Sequence, residues 1–225
     1  MLASRTQQFI RPAQQSICRN STNAVPGTDL TYPESPSSNH HDLPSFLEYA
    51  SRIDMGTKST TYVGTHYEYT TQVALGKLGM FLKRIGGKSD YGIDLLGTWS
   101  LPSASEPLKV LIQCKAFARK IEPAQARELE GAFVGAPTGW RGAGVLGLLV
   151  SQKAATKGVR EALGRSRWPM GYVLCTQEGK ILQMVWNRRA EQEGLEGVAV
   201  GLKYAGGDAA QKEVILTWKG EPIID

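Results

Sequence analysis

At 225 residues with 41% hydrophobic side chains, the chain is long enough to bury one sizeable core, and one domain with extensions is expected. No apolar run reaches the length of a membrane span, so no membrane-crossing segment is expected. The 26 Lys+Arg against 21 Asp+Glu give a net charge of +5, which falls to about +2 once the three arginines of the first 28 residues are set aside. Charge alone therefore does not argue for a nucleic-acid partner. The three cysteines, Cys18, Cys114 and Cys175, are too scattered for a zinc ligand set or a disulfide framework, and Cys114 reads as a small apolar core side chain.

The first 28 residues carry Arg5, Arg11 and Arg19 but no Asp, Glu or Lys, and are rich in Ser, Thr and Gln. An arginine-bearing, acid-free front without a long apolar stretch has the composition of a mitochondrial transit peptide; a basic tail is the plainer reading. From about Asn20 to Asp42, Pro, Ser, Thr and Asn predominate, and this stretch reads as linker. Residues 1–42 are thus expected to form a leader and linker.

Asp42-Leu43-Pro44 marks a helix start, with Phe46, Leu47, Ala50 and Ile53 at helical spacing behind it. A second helix is expected from about Tyr62 to Lys77, with Tyr67, Thr71, Ala74, Leu75 and Leu78 on one face and Glu68 beside it. Gly79 ends it, and Met80 to Ile85 reads as a first strand. Gly86-Gly87 turn the chain into a second strand, Gly92 to Trp99, that carries Asp94 near its beginning. Lys109 to Phe117 forms a third strand, apolar on both faces, in which period-two geometry puts Leu111, Gln113 and Lys115 on one side. Pro123 at a first helical position opens the next helix. Ala143 to Ser151 reads as a central strand. Ser151 is expected to cap a helix from Lys153 to Gly164, before a strand at Gly171 to Thr176. Ile181 to Arg189 is either helical or extended, and Val198 to Tyr204 with Glu213 to Trp218 reads as two strands joined at Gly206-Gly207-Asp208. The order is that of an α/β fold: a mixed β-sheet flanked by helices.

Glu68, Asp94, Gln113 and Lys115 can converge if the two strands are neighbours, since adjacent strands lie about 4.8 Å apart. Two carboxylates and an amide carbonyl are hard oxygen ligands suited to Mg²⁺ or Mn²⁺. A nearby lysine can orient a water nucleophile or stabilise charge on a phosphate, a combination suited to metal-assisted phosphodiester hydrolysis. Each residue also has an ordinary role: Asp94 as a turn residue, Gln113 as a satisfied core amide, Lys115 snorkelling from the strand end, Glu68 solvated on its helix. Asp90 reads as a turn residue close to the site, and His66 as a surface residue rather than a base. Ser151, Gln152 and Lys153 at an expected helix start could meet a phosphate. Arg119, Lys120, Arg165 and Arg167 are candidate backbone contacts.

Glu68, then GGKSDYGIDL with Asp94, then QCK at Gln113 to Lys115 resembles the PD-(D/E)xK restriction-endonuclease-like superfamily in its Mrr-type branch. With the leader, the chain resembles the fungal mitochondrial family called required for respiratory growth protein 7. The resemblance covers roughly Thr60 to Thr176. It implies a restriction-endonuclease-like core at residues 43–178 built on four strands, with a C-terminal β-rich extension at 179–225. It further implies Asp94 and Gln113 as ligands to Mg²⁺ or Mn²⁺, Glu68 assisting from its helix, and Lys115 attending the attacking water. Gln113 stands where most of the superfamily has a carboxylate, as the Mrr-type branch allows. The expected function is nuclease-like hydrolysis of nucleic acid, DNA in preference to RNA, in the mitochondrial matrix in support of respiratory growth. The alternative is a catalytically inactive nucleic-acid-binding or assembly factor in mitochondrial gene expression.

Overall fold

The computed structural model describes residues 30–87, 91–117, 119–204 and 212–224. The expected leader with Cys18, the turn residue Asp90 and the Gly206-Gly207-Asp208 turn lie outside these residues. Helix α1 (Leu43–Arg52) starts where Asp42 accepts a hydrogen bond from Ser45 N. Helix α2 (Thr60–Gly76) starts at Ser59, whose Oγ accepts from Tyr62 N. A capping side chain satisfies one of the backbone donors that a helix start leaves open, which is why both helices begin where they do.

Six strands form one mixed sheet in chain order: β1 (Met80–Arg84), β2 (Leu95–Trp99), β3 (Leu108–Lys115), β4 (Val145–Ser151), β5 (Met170–Cys175) and β6 (Ile181–Trp186). The first three are antiparallel neighbours, β3, β4 and β5 run parallel, and β6 returns antiparallel to β5. Helices α3 (Pro123–Gly135) and α4 (Lys157–Arg165) make the two parallel crossovers. The ambiguous segment Ile181 to Arg189 is extended as far as Trp186 and turns helical at Arg188, and the sheet has six strands where the family resemblance implied four. Strands β7 (Val198–Tyr204), β8 (Lys212–Trp218) and β9 (Glu221–Pro222) form a second, small sheet.

Each face of the large sheet has its own core. Val110, Ile112, Leu148, Val150 and Val173 pack with Tyr67, Ala74 and Leu75 of α2 and with Val198, Val214 and Leu216 of the small sheet. Leu111, Leu149 and Tyr172 face the other way, onto Leu129 and Phe133 of α3 and Val159 and Leu163 of α4. Strict alternation along β3 therefore sorts its side chains between two helical layers, which is why it is apolar on both faces. Gly97 in β2 tolerates no side chain, because a Cβ there would fall 1.9 Å from the Phe81 carbonyl oxygen.

Two local expectations are corrected. Ser151 does not cap a helix: it is the buried last residue of β4, and α4 begins at Lys157 with Thr156 as its cap. Any phosphate contact from a free helix start at Ser151-Gln152-Lys153 is thereby removed. Residues 30–42 contain no helix or strand, as their composition implied, yet they lie against the core. The fully buried Trp140 donates from its indole N–H to Thr31 O at 3.0 Å and meets the Tyr32 ring edge-on at 4.9 Å.

His40 ends this segment in a buried aromatic nest of Phe46, Tyr49 and Tyr69, its Nδ1 2.8 Å from the Tyr69 hydroxyl. Burial, then the Arg84 guanidinium and His41, push its pKa below the ordinary 6.5. The unfolded chain therefore takes up a proton at a pH where folded His40 stays neutral. His40 costs nothing above about pH 6.5, and stability is lost as pH falls below it. The thermal midpoint is expected to fall between about pH 7.5 and 5.5, with a shallower fall in His40→Gln. Parallel pH profiles for the two chains would assign the acid sensitivity elsewhere.

Candidate functional site at the ends of β2 and β3

Asp94 directly precedes β2 and extends its pairing. Its N–H donates to Ile112 O at 2.8 Å, and its carbonyl accepts from Ile85 N at 2.8 Å and Gly86 N at 2.9 Å. This double acceptance bends the chain at Gly86. The Asp94 carboxylate turns back over β3, where Oδ2 accepts the Cys114 backbone N–H at 2.6 Å.

Glu68 reaches the same place from α2. A Cβ built on Gly86 would lie 3.1 Å from Asp94 Oδ1 and 3.2 Å from Glu68 Oε2, so the two carboxylates flank one narrow cradle that a side chain at this position would crowd. Both carboxylates, after burial, also raise the pKa of the part-buried Cys114 thiol. That thiol stays protonated, in keeping with a packing role.

Glu68 is not solvated. It pairs with Arg84 Nε, and both side chains are mostly buried. Arg84 was not singled out in the sequence, although it shares strand parity with the buried Met80 and Leu82, and an inward arginine requires a partner.

Gln113 and Lys115 share the parity of Leu111 and reach α3, as that parity predicts. Glu128 meets both there: its Oε1 accepts from Gln113 Nε2 at 2.9 Å and from Lys115 Nζ at 2.8 Å. A carboxylate only accepts, so this contact fixes the amide orientation and turns Gln113 Oε1 away. That oxygen is buried and has no hydrogen-bond partner among the described residues, within a residue 2% exposed. An orphaned buried acceptor of this kind costs about 1–3 kcal/mol unless something fills its coordination. Glu128 carried no sequence signal: it only flanks the apolar stripe of Ala126, Leu129 and Phe133.

No group of three or more His, Cys, Asp or Glu suited to a metal is found among the described residues. The donors available are two carboxylates and one amide oxygen, hard ligands of the type Mg²⁺ and Mn²⁺ accept alongside water. The carboxylates at Gly86 and the Gln113 Oε1 are of the donor type that fits such an ion.

His66 is half-buried rather than on the surface. Its ring stacks on Tyr62 at 5.8 Å, and its Nδ1 lies 3.4 Å from Thr70 Oγ1. Arg119, stacked on the Phe117 ring at 4.7 Å, and Lys120 follow β3 at the site end of the sheet. Arg165 and Arg167 lie at the other end, before β5 begins, and Arg165 pairs with Glu161. These four cations therefore do not form one patch.

The family model for Required for respiratory growth protein 7 matches residues 59–106 and 101–201, a span that contains Glu68, Asp94, Gln113, Lys115 and Glu128. A Schizosaccharomyces pombe protein described as uncharacterized and mitochondrial is 34% identical over 155 residues, 67% of this chain and 61% of its own length. The Zygosaccharomyces rouxii protein named Required for respiratory growth protein 7, mitochondrial, is 28% identical over 61% of this chain and 72% of its own. The Saccharomyces cerevisiae protein of the same name is 32% identical over 40% of this chain and 54% of its own. The match thus spans under two thirds of the S. pombe relative and about half of the S. cerevisiae one. No solved structure matches. With the family model matching well over half of its length, the chain belongs to the required for respiratory growth protein 7 family.

Proposed function

We propose that this chain is a mitochondrial, metal-dependent nuclease-like protein that hydrolyses phosphodiester bonds, of DNA in preference to RNA, in support of respiratory growth. The observation that carries the reading is the convergence of Glu68 Oε2 and Asp94 Oδ1 around Gly86, beside the end of β3 where Gln113 Oε1 is buried without a hydrogen-bond partner among the described residues. The order α2–β1–β2–β3–α3–β4 supports a PD-(D/E)xK restriction-endonuclease-like core. The names of the relatives support a mitochondrial location, and the arginine-bearing, acid-free front supports the matrix within it.

Asp94, Glu68 and Gln113 would hold Mg²⁺ or Mn²⁺. Such an ion supplies Lewis-acid polarisation of a phosphoryl oxygen and a lowered pKa for a bound water. Arg84 orients the Glu68 carboxylate toward the cradle. Glu128 holds the Lys115 ammonium at the end of β3, where it can orient a water or offset charge on a phosphate oxygen. The purified chain is expected to nick plasmid DNA with Mg²⁺ or Mn²⁺ but not with EDTA, and Lys115→Ala is expected to remove that activity. Metal-independent nicking, or nicking equal in Lys115→Ala, would overturn the assignment.

One arrangement favours a non-catalytic second reading: Glu68 is engaged by Arg84, Lys115 by Glu128, and Gln113 has no charge. A nucleic-acid-binding or assembly factor needs no more than this. Restored respiratory growth in a yeast lacking its relative, carried by an Asp94→Ala, Lys115→Ala double variant, would decide for the factor.

A further inference from the structure

A cavity of about 320 Å³ opens between the first half of α2 and the loops that follow β4 and β5, lined by Thr57, Tyr62, Val63, His66, Gln152 and Gln177. This volume is at the lower end of the range of small-ligand sites. Its chemistry is distinctive. The stacked Tyr62 and His66 rings, 22° from parallel, form an aromatic wall on α2. Two primary amides and the Thr57 and Tyr62 hydroxyls provide donors and acceptors, the Tyr67 hydroxyl at its floor donates to Cys175 O, and none of the described lining residues is Lys, Arg, Asp or Glu. Such a lining suits a neutral, flat heterocycle with hydrogen-bonding edges better than a phosphate or a metal ion. Gln177, after β5, is exposed and makes no side-chain hydrogen bond among the described residues.

The cavity lies at the same edge of the sheet as the candidate site, since Gln152 and Gln177 follow β4 and β5, which run parallel to β3. Gln152 Nε2 donates to Ala116 O at 3.2 Å, and Ala116 is the residue after Lys115. His66 lies two residues before Glu68 on the same helix. Two residues turn a helix by about 200°, so His66 and Glu68 leave α2 on different flanks, and the hydrogen bond from Gln152 to the residue after Lys115 ties the cavity to the site end of the sheet.

We propose that this cavity accepts a nucleobase of the nucleic-acid strand whose phosphate lies at the Glu68–Asp94 cradle, so that the preferred substrate is single-stranded or locally unpaired. This rests on the nuclease-like reading of the site. A base can enter only if it leaves its stack, which costs least where it is unpaired. The base stacks on the wall formed by His66 and Tyr62, while Gln152, Gln177 and Thr57 meet its edge.

The test is equilibrium binding of the full chain, in EDTA, to a short oligothymidylate, to an abasic strand of equal length and to a duplex of equal length. The oligothymidylate is expected to bind about tenfold more tightly than either, the scale of one stacked base. His66→Ala should erase that preference and leave abasic-strand binding unchanged, and Gln177→Ala, at an exposed loop position, should weaken it with no effect on folding. Equal affinity for oligothymidylate and abasic strand, an equal loss on both in His66→Ala, or no strand binding at all would overturn the proposal. Thymidine monophosphate binding with the same His66 dependence, in place of the strand, would also overturn it, assigning the cavity to a free nucleotide. Mg²⁺-dependent nicking is scored separately. His66-dependent strand binding without nicking upholds the cavity and removes the catalysis, whereas nicking without a His66 effect does the reverse.

Discussion

Asp94→Asn is expected to lower Mg²⁺-dependent cleavage by at least about hundredfold, the scale on which loss of one preorganised charged group acts. It should leave the thermal midpoint within about 3 °C of the unsubstituted chain. The two effects separate because Asp94 does two jobs. Its Oδ2 accepts the Cys114 N–H at 2.6 Å, a task an amide oxygen can take over. Its Oδ1 faces the cradle beside Glu68, where an amide supplies no charge. Asp94→Ala makes the contrast: it removes the acceptor as well and strands a backbone donor, at a cost of about 1–3 kcal/mol. In the alanine variant, lost cleavage is therefore accompanied by a lower midpoint. Cleavage rate and thermal midpoint measured on both variants check this. Undiminished cleavage by Asp94→Asn would place the chemistry elsewhere, and a midpoint lowered equally in both would make Asp94 a structural residue alone.

What the sequence revealed of this site follows from periodicity. The apolar face of α2 is readable from Tyr67, Thr71, Ala74 and Leu75, and the parity of β3 assigns Gln113 and Lys115 to one side. Parity alone could not say what stands opposite. Glu128 and Gln113 are fifteen residues apart and meet only because the β3–β4 crossover lays α3 across the sheet. A helical glutamate beside a buried stripe reads the same whether it faces solvent or a lysine. Glu68 is engaged by Arg84 of β1, a partner that helical spacing does not show either. α2 is covered by the sheet on one side and by α1 on another, where Phe46 packs near Tyr69, and this second cover is a tertiary fact that helical spacing does not carry. Ser151 failed differently. Its hydroxyl does accept the Lys153 N–H at 3.3 Å, but in a local turn at a strand end, and a serine before a helix has the same sequence in either setting.

Gln113 is where enzyme and non-catalytic factor part, and Gln113→Glu should show the difference as stability. The side chain is 2% exposed and donates to Glu128 Oε1 at 2.9 Å, while Lys115 donates to the same oxygen at 2.8 Å. The substitution removes one donor and places a buried carboxylate against the half-exposed one of Glu128, with a single ammonium to offset both. Two carboxylates in one site do not both ionise freely, so the new group's folded pKa rises above its unfolded value. The folded form then keeps a proton that the unfolded chain releases. The cost, about 3 kcal/mol, is fully present at neutral pH and relieved as pH falls toward about 5, opposite in slope to the effect of His40. A midpoint lowered by about 6–12 °C at neutral pH is expected without metal. Adding Glu128→Gln should recover most of it, because the introduced amide can donate where two acceptors had faced each other. Mg²⁺ then separates the readings. If Gln113 Oε1 belongs to a metal site, saturating Mg²⁺ raises the midpoint of both chains, and more in Gln113→Glu, since binding to the folded form alone stabilises it in proportion to RT ln(1 + [Mg²⁺]/Kd) and a carboxylate lowers Kd. If Mg²⁺ moves neither midpoint, the orphaned oxygen is a feature of packing and the non-catalytic factor is the better account of the site.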